Sequence, residues 1–333
     1  MSAAAATTSA MPAHAEDVPR QLHSKPVPAD RLFRGLLRGA GIAVLAITGS
    51  ILLFLVIEAL PAFRDEGWRF LTQTNTLPPD EFGVGALLPY TVLVAVISLV
   101  VALPAGLAAA IYISEYAPPG LQRPLISVID LLAAIPSIVF GLWGFLHFMP
   151  QMLGNDSWLS HHLSLLPCTS VQPDEPQSYV GSVFIAAIVV GMLVTPIICS
   201  LSRQVFSQAP QGEREAAYAL GSTRWGMVRT VVLPFGRAGV IGSAMLGLGR
   251  ALGETIVVTF ILVPTTGFNC HILQSGGNTI TDEVATHVVD FGTGGLPFLF
   301  AAGLVLFVMT LIINTLAAIV ISRSRSGSST QAD

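Results

Sequence analysis

The chain has 333 residues, 52% hydrophobic and only 11% charged, with a mean hydropathy of +0.70 and a formal net charge of −4. Soluble domains carry about 25% charged residues, so this composition excludes a water-soluble globular domain and describes an integral membrane protein. The net charge itself says little, because charges in such chains are sorted by side of the membrane.

Residues 1–30 are rich in Ala, Ser and Pro and hold no apolar core. A secretory signal needs an apolar run directly after a basic start, so this stretch reads as a disordered cytoplasmic tail. Six segments then reach the length of about 20 apolar residues that crosses about 30 Å of hydrocarbon: Leu36–Leu60, Val84–Ile113, Leu125–Met149, Tyr179–Leu201, Val240–Pro264 and Leu296–Ile321. The second is long enough to carry an interfacial piece at one end. Residues 31–83 thus hold the first span and an outer loop, 84–321 the membrane core, and 322–333 a second polar tail. Pro104, Pro136 and Pro196 fall inside spans, which is tolerated where neighbours or water satisfy the freed carbonyls.

Orientation follows from Lys and Arg. Arg20, Lys25, Arg31, Arg34 and Arg38 precede the first span. Arg123 lies between spans two and three, Arg203 to Arg237 lie between four and five, and Arg323 and Arg325 follow the last. The opposite side has only Arg64 and Arg69, a split of 13 against 2 with Arg250 left inside a span. Both termini and the loop between spans four and five are therefore expected in the cytoplasm, with the chain multi-pass in a bacterial plasma membrane.

Of three cysteines, Cys199 lies within the fourth span and reads as a small buried apolar residue. Cys168 and Cys270 lie in the two long outer loops, on the oxidising side. A disulfide between them would tie together loops flanking the fourth and fifth spans, and spacing alone does not decide whether their Cα atoms come within reach. His161 and His162 are adjacent in an outer loop without the further ligands a metal site needs, so no metal is expected. Asp130 reads as an interfacial partner of Arg123. Trp68, Trp143 and Trp158 sit near span ends as interfacial anchors. Asp282, Glu283 and Asp290 make one outer loop acidic, a poor vestibule for an anion, and that loop is expected to contact a partner or lie aside.

Two stretches carry the functional signal. In EREAAYALGSTRWGMVRTVVLP, Glu213–Pro234, a run of helix formers ends at Gly221 and a second amphipathic run ends at Pro234. That pattern predicts a short helix, a turn and another short helix at the membrane surface. The spacing Glu215-Ala216-Ala217, then Gly221, then Leu233-Pro234 resembles the EAA loop of ABC importer membrane subunits, which docks into a groove of a separate ATPase. The chain has one lysine, Lys25 in SKPVP, so no phosphate-cradling loop of the form G-x-x-x-x-G-K-[ST] exists here. It is not expected to be an enzyme, and an ATP-driven transporter built on it must borrow its ATPase. In MLGLGRALGET, Met245–Thr255, Arg250 and Glu254 stand about one helical turn apart on one face and inside a span. Ionisable groups at that depth are costly unless they face a partner or a watery pathway. One reading is an internal ion pair. The other makes Arg250 a transient ligand for a crossing oxyanion, with Glu254 holding it between visits. Gly247, Gly249 and Gly253 permit close helix packing.

Together with DLLAAIPSIVFGLWG, Asp130–Gly144, these two motifs are similar to the PstC-type permease of the bacterial phosphate ABC importer, over roughly Phe82 to Ile321. The resemblance implies an all-α permease of six transmembrane helices with the type I importer (MetI-like) fold, forming half of a phosphate pathway. It implies a coupling segment over 208–234 that uses Glu215, Ala216, Ala217, Gly221, Leu233 and Pro234, and a pathway lined by Arg250 and Glu254. It also implies a homologous PstA-type permease, two PstB-type ATPases that bind ATP and Mg, and an extracytoplasmic PstS-type binding protein. Nucleic acid has no place in it, and no cofactor is expected in this chain. A PstA-like paralogue, or a permease for molybdate, sulfate or an organic anion, stays open at this point. A channel or ion-driven carrier would make the EAA-like loop an accident, and an intramembrane enzyme lacks a nucleophile or metal set beside Arg250 and Glu254.

Overall fold

The computed structural model describes residues 28–74, 83–152, 180–265, 267–269, 271–288 and 292–325. Cys168, Cys270, His161, His162, Trp158 and Asp290 lie outside the described residues, and with them the disulfide expectation. The described chain is helical, with isolated bridges from Ser182 to Ser275 and Gly276. It divides into two compact units, residues 1–51 and 52–333. The described part of the first unit, residues 28–51, belongs to α1 (Pro28–Asp65) and carries exposed Leu32, Phe33, Leu36 and Ile42, with an Asp30–Arg34 ion pair at 3.2 Å.

The second unit continues α1 and adds α2 (Arg69–Thr72), α3 (Leu87–Ile111), α4 (Pro119–Ala134), α5 (Ser137–Trp143), α6 (Met149–Met152) and α7 (Val183–Ser207). A hairpin of α8 (Gln211–Ala219) and α9 (Arg224–Met227) leads into α10 (Leu233–Leu252), then α11 (Ile256–Ile261), α12 (Ile280–His287) and α13 (Gly292–Arg325). Its centre is α7, packed along α3 and α10. Small residues set that approach. A Cβ on Gly106 would stand 2.9 Å from Cγ2 of Ile198, and one on Gly247 2.8 Å from Cγ1 of Val194. Without a hydrophobic force between helices in lipid, such close backbone packing supplies the association. Ser202 and Ser243 share a buried hydroxyl hydrogen bond of 2.9 Å across the same seam.

Among the described residues, five helices are long and apolar enough to cross a membrane, and a bent pair makes up to six. The bent pair corrects the third predicted span, which is no single helix: residues 119–134 and 137–152 meet at 86°. Ile135 is extended (ψ 130°) ahead of Pro136, as the residue before a proline prefers. The fifth span is also broken, between Leu252 and Ile256. The last helix runs to Arg325, past the Ile321 at which the sequence reading ends it, and α1 begins at Pro28 rather than after residue 30.

Among the described residues, three wide π-helical turns each precede a proline by two residues: Tyr112–Tyr116 before Pro118, Gly144–Phe148 before Pro150, and Val228–Val232 before Pro234. In each, the residue just before the proline donates five residues back, Ala117 to Tyr112, Met149 to Gly144 and Leu233 to Val228. A proline has no N–H and crowds the carbonyl four residues behind it; a wide turn there resets the ladder and opens that space. This corrects one expectation. Pro234 does not end the second half of the hairpin; it sits in the first turn of α10, and the chain is helical from Arg224 to Leu252.

Candidate functional site

The hairpin is built by local rules. α8 ends at Ala219 with Leu220 as its C-cap, and Gly221 takes φ +81°. Its N–H donates to Tyr218 O at 2.9 Å and the Ser222 N–H to Ala217 O at 3.1 Å, the paired bonds of a Schellman turn. A Cβ on Gly221 would meet nothing within 4 Å, so only the left-handed backbone calls for glycine. Thr223 then caps α9 by accepting from Gly226 N–H at 3.1 Å.

One face of the hairpin packs inward: Ala217, Met227, Val228 and Val232 are buried with Ile113, Cys199 and Phe206. Leu233 leans on that cluster. The other face, with Glu215, Ala216 and Pro234, is exposed. At its tip Leu220 is 88% exposed and Trp225 55% exposed, an apolar knob on a polar hairpin. Between α7 and α8 lies a crevice of about 350 Å³ lined by Ser207, Gln211, Arg214, Glu215 and Tyr218. The hairpin is also tied to α3. Arg214 Nη1 pairs with Glu115 Oε2 at 2.9 Å, Arg214 Nη2 donates to Phe206 O at 2.6 Å, and the Arg224 guanidinium lies over the Tyr116 ring at 5.5 Å.

The second site lies at the two helix breaks. The sequence reading places Arg250 and Glu254 on one helix face, but α10 ends at Leu252, where Gly253 N–H bends back to Gly249 O and Arg250 O. Arg250 remains exposed in the last turn, whereas Glu254 turns inward and is 8% exposed. No contact between them within 4.0 Å is among the ion pairs of the described residues. The Glu254 carboxylate lies beside the Ser137 hydroxyl, at the start of α5, and the Val257 N–H, and the Arg250 charge still acts on it. Gly141 of α5 lets α11 approach, since a Cβ there would stand 3.2 Å from Val257 Cα. The breaks in the third and fifth spans are therefore one place. Gly247 packs as expected, but Gly249 faces only Asn314 Oδ1 at 3.7 Å and Gly253 is a cap.

α12 braces this place from the far end of the bundle. Ile280 N–H donates to Thr91 Oγ1 of α3 at 3.1 Å, Thr281 Oγ1 donates to Glu254 O at 3.0 Å, and Thr259 Oγ1 meets Asp282 at 2.5 Å. Glu283 is bonded by Asn278 and pairs with His287 at 3.4 Å. Asp282 and Glu283, expected in a loop that contacts a partner or lies aside, are 2% and 1% exposed and are interior struts. Burial pushes both carboxyls above the ordinary carboxylate range, against the weaker opposing pull of Thr259 on Asp282 and His287 on Glu283. Asp130 likewise meets Ser200 Oγ at 3.1 Å rather than the Arg123 expected. Sequence reasoning missed Ser137, Thr281 and Glu115; only Glu115, an acid ending a long apolar run, gave any signal.

Over residues 102–326 the chain matches the family described as binding-protein-dependent transport system inner membrane component. It is 38% identical over 296 residues to the phosphate transport system permease protein PstC 2 of Mycobacterium tuberculosis, covering 86% of this chain and 90% of that one. The PstC protein of Mycobacterium leprae is 36% identical over 311 residues, covering 88% and 96%. That of Haemophilus influenzae is 35% identical over 297 residues, covering 88% and 93%. Among solved structures, the MetNI methionine ABC transporter in inward facing conformations aligns with a TM-score of 0.53 at 16% identity, over 72% of this chain and 96% of that one. A bacterial ABC transporter involved in the import of alginate aligns with a TM-score of 0.50 at 15% identity, over 88% and 99%. These structural likenesses show the fold, that of an ABC importer permease.

Proposed function

Because the chain belongs to the binding-protein-dependent inner membrane components, and within them to the PstC-type phosphate transport permeases, we propose that it forms half of the pathway of an ATP-driven phosphate importer. The observation that carries the residue-level reading is the pairing of an exposed guanidinium, Arg250, with two helix breaks that meet at a buried Glu254. A planar guanidinium suits bidentate contact with a tetrahedral oxyanion. Helix breaks inside a membrane leave free backbone groups that are tolerated only against protein or a water-filled cavity. Arg250 is thus the transient anion ligand, and Glu254 keeps its segment in register beside it.

The remaining parts of the reading follow from the family. An extracytoplasmic phosphate-binding protein of PstS type delivers the anion. A PstA-type permease supplies the other half of the pathway. Two PstB-type ATPases bind ATP and Mg and receive the hairpin through Glu215, Ala216, Ala217, Gly221, Leu233 and Pro234. The arginine asymmetry of the loops supports a cytoplasmic hairpin and cytoplasmic termini, and the lack of a P-loop supports an ATPase on a separate chain.

The test is uptake of labelled phosphate at low external phosphate in cells deleted for this gene and carrying wild type or Arg250→Ala. Loss in the deletion, rescue by wild type alone and indifference to excess sulfate and molybdate support the proposal. Unchanged uptake in the deletion, with no redundant system, overturns phosphate as the cargo.

A further inference from the structure

We propose that the π-helical end of α3, Tyr112–Tyr116, is the receiver through which the hairpin moves a third span, with Glu115 and Tyr116 as its positioning residues. The inference rests on the coupling role proposed for the hairpin. The hairpin is covalently continuous with α7 and α10, so its movement reaches those helices through the backbone. α3 has no such link, yet both halves of the hairpin end on it. Arg214, before the Gly221 turn, pairs with Glu115 at 2.9 Å; Arg224, after the turn, lies over Tyr116 at 5.5 Å. Two cations ten positions apart thus hold neighbouring residues of one wide turn.

The two contacts differ in kind. The Glu115 side chain is 3% exposed and that of Arg214 20%. Removing one partner of such a pair leaves a buried charge uncompensated, which is strongly unfavourable, so the pair resists separation. Arg214 also donates to the Phe206 carbonyl in the last turn of α7; one guanidinium therefore locks α8, α3 and α7 together. The Arg224–Tyr116 contact is exposed and makes only a cation–π attraction, so it can slide. The turn they grip interrupts the regular helix ladder, as single π turns at functional sites do. From there α3 reaches the far end of the bundle, where Thr91 holds the N–H of Ile280 and the next residue, Thr281, holds the Glu254 carbonyl.

The test uses the complete transporter in membrane vesicles, with phosphate uptake and ATP hydrolysis measured in parallel and ATPase retention checked by co-purification. Variants are Glu115→Gln, the charge swap Glu115→Arg with Arg214→Glu, and Tyr116→Leu, the last leaving no buried charge and keeping the fold. Expected are full ATPase retention, preserved hydrolysis and at least a fivefold fall in phosphate moved per ATP for Glu115→Gln and Tyr116→Leu, with the swap recovering at least half. A wild-type transport-to-hydrolysis ratio in Tyr116→Leu overturns the proposal. So does loss of the ATPase from that variant, which would make the turn part of the docking surface. Failure of wild type to take up phosphate sinks the phosphate reading instead, and this proposal with it.

Discussion

Thr281 Oγ1 donates a 3.0 Å hydrogen bond to the backbone carbonyl of Glu254, across 27 residues of sequence. Glu254 lies past the Gly253 cap, in the break between α10 and α11, and a hydroxyl from an outer helix holds its carbonyl there. Thr281→Val keeps the shape and removes the donor. The expected cost is about 1 kcal/mol of stability, with a fall in phosphate uptake because the Glu254 segment loses its brace. Thr281→Ser should restore both. Thermal unfolding in detergent and uptake in cells read the two effects separately.

Arg250→Ala and Glu254→Ala are expected to abolish uptake, by at least tenfold, while the complex still assembles. Because the two side chains stand apart, with Arg250 exposed and Glu254 buried, the variants should differ in stability. Arg250→Ala removes an exposed side chain that acts on Glu254 only through its charge and should melt close to wild type. Glu254→Ala removes a buried side chain beside Ser137 and Val257 and should melt lower. Equal melting of both would sink the assignment of a structural second duty to Glu254.

Gly221 has φ +81° and free space where a Cβ would go. Gly221→Ala therefore costs about 1–2 kcal/mol through the left-handed backbone alone, and Gly221→Asn costs less. Loss of ATPase co-purification in Gly221→Ala with recovery in Gly221→Asn would tie docking to the shape of the turn.

Gly247 and Gly249 separate by packing. Gly247→Ala places a Cβ 2.8 Å from buried Val194, whereas Gly249→Ala meets only Asn314 Oδ1 at 3.7 Å. Overpacking costs about 1–3 kcal/mol, so the first variant should unfold earlier and the second should behave as wild type.

Asp282 and Glu283 give a pH dependence. Burial raises their carboxyls above the ordinary 3.8 and 4.5, so the folded chain holds protons that the unfolded chain has released. The stability this contributes is full below those ordinary values and is lost as pH rises through the folded pKa. His287 faces Glu283, and Thr259 faces Asp282. Thr259 has one hydroxyl hydrogen and two oxygens in reach, Asp282 and Thr255 O at 3.0 Å; a protonated Asp282 satisfies all three. The unfolding midpoint should fall from pH 4 upwards in wild type, and more shallowly in Asp282→Asn with Glu283→Gln. A parallel fall in both would refute the assignment.

What the sequence by itself determined is local. Long apolar runs specify spans because lipid demands internally bonded helices. Gly221 and Thr223 specify the hairpin because backbone sign and capping act within four residues. Even the proline that bends the third span is legible at Pro136. The partners of the charged groups were not legible, because past a helix end the direction of a side chain depends on what packs there. Gly253 releases the ladder, α5 arrives through Gly141, and Glu254 turns to Ser137 while Arg250 stays outside. The same holds for Asp282 and Glu283, whose acidity reads as surface and whose burial comes from docking of α12 on α3, α11 and α13. Only the tertiary structure decides which polar group meets which, since inside a bilayer each must find a partner from another element.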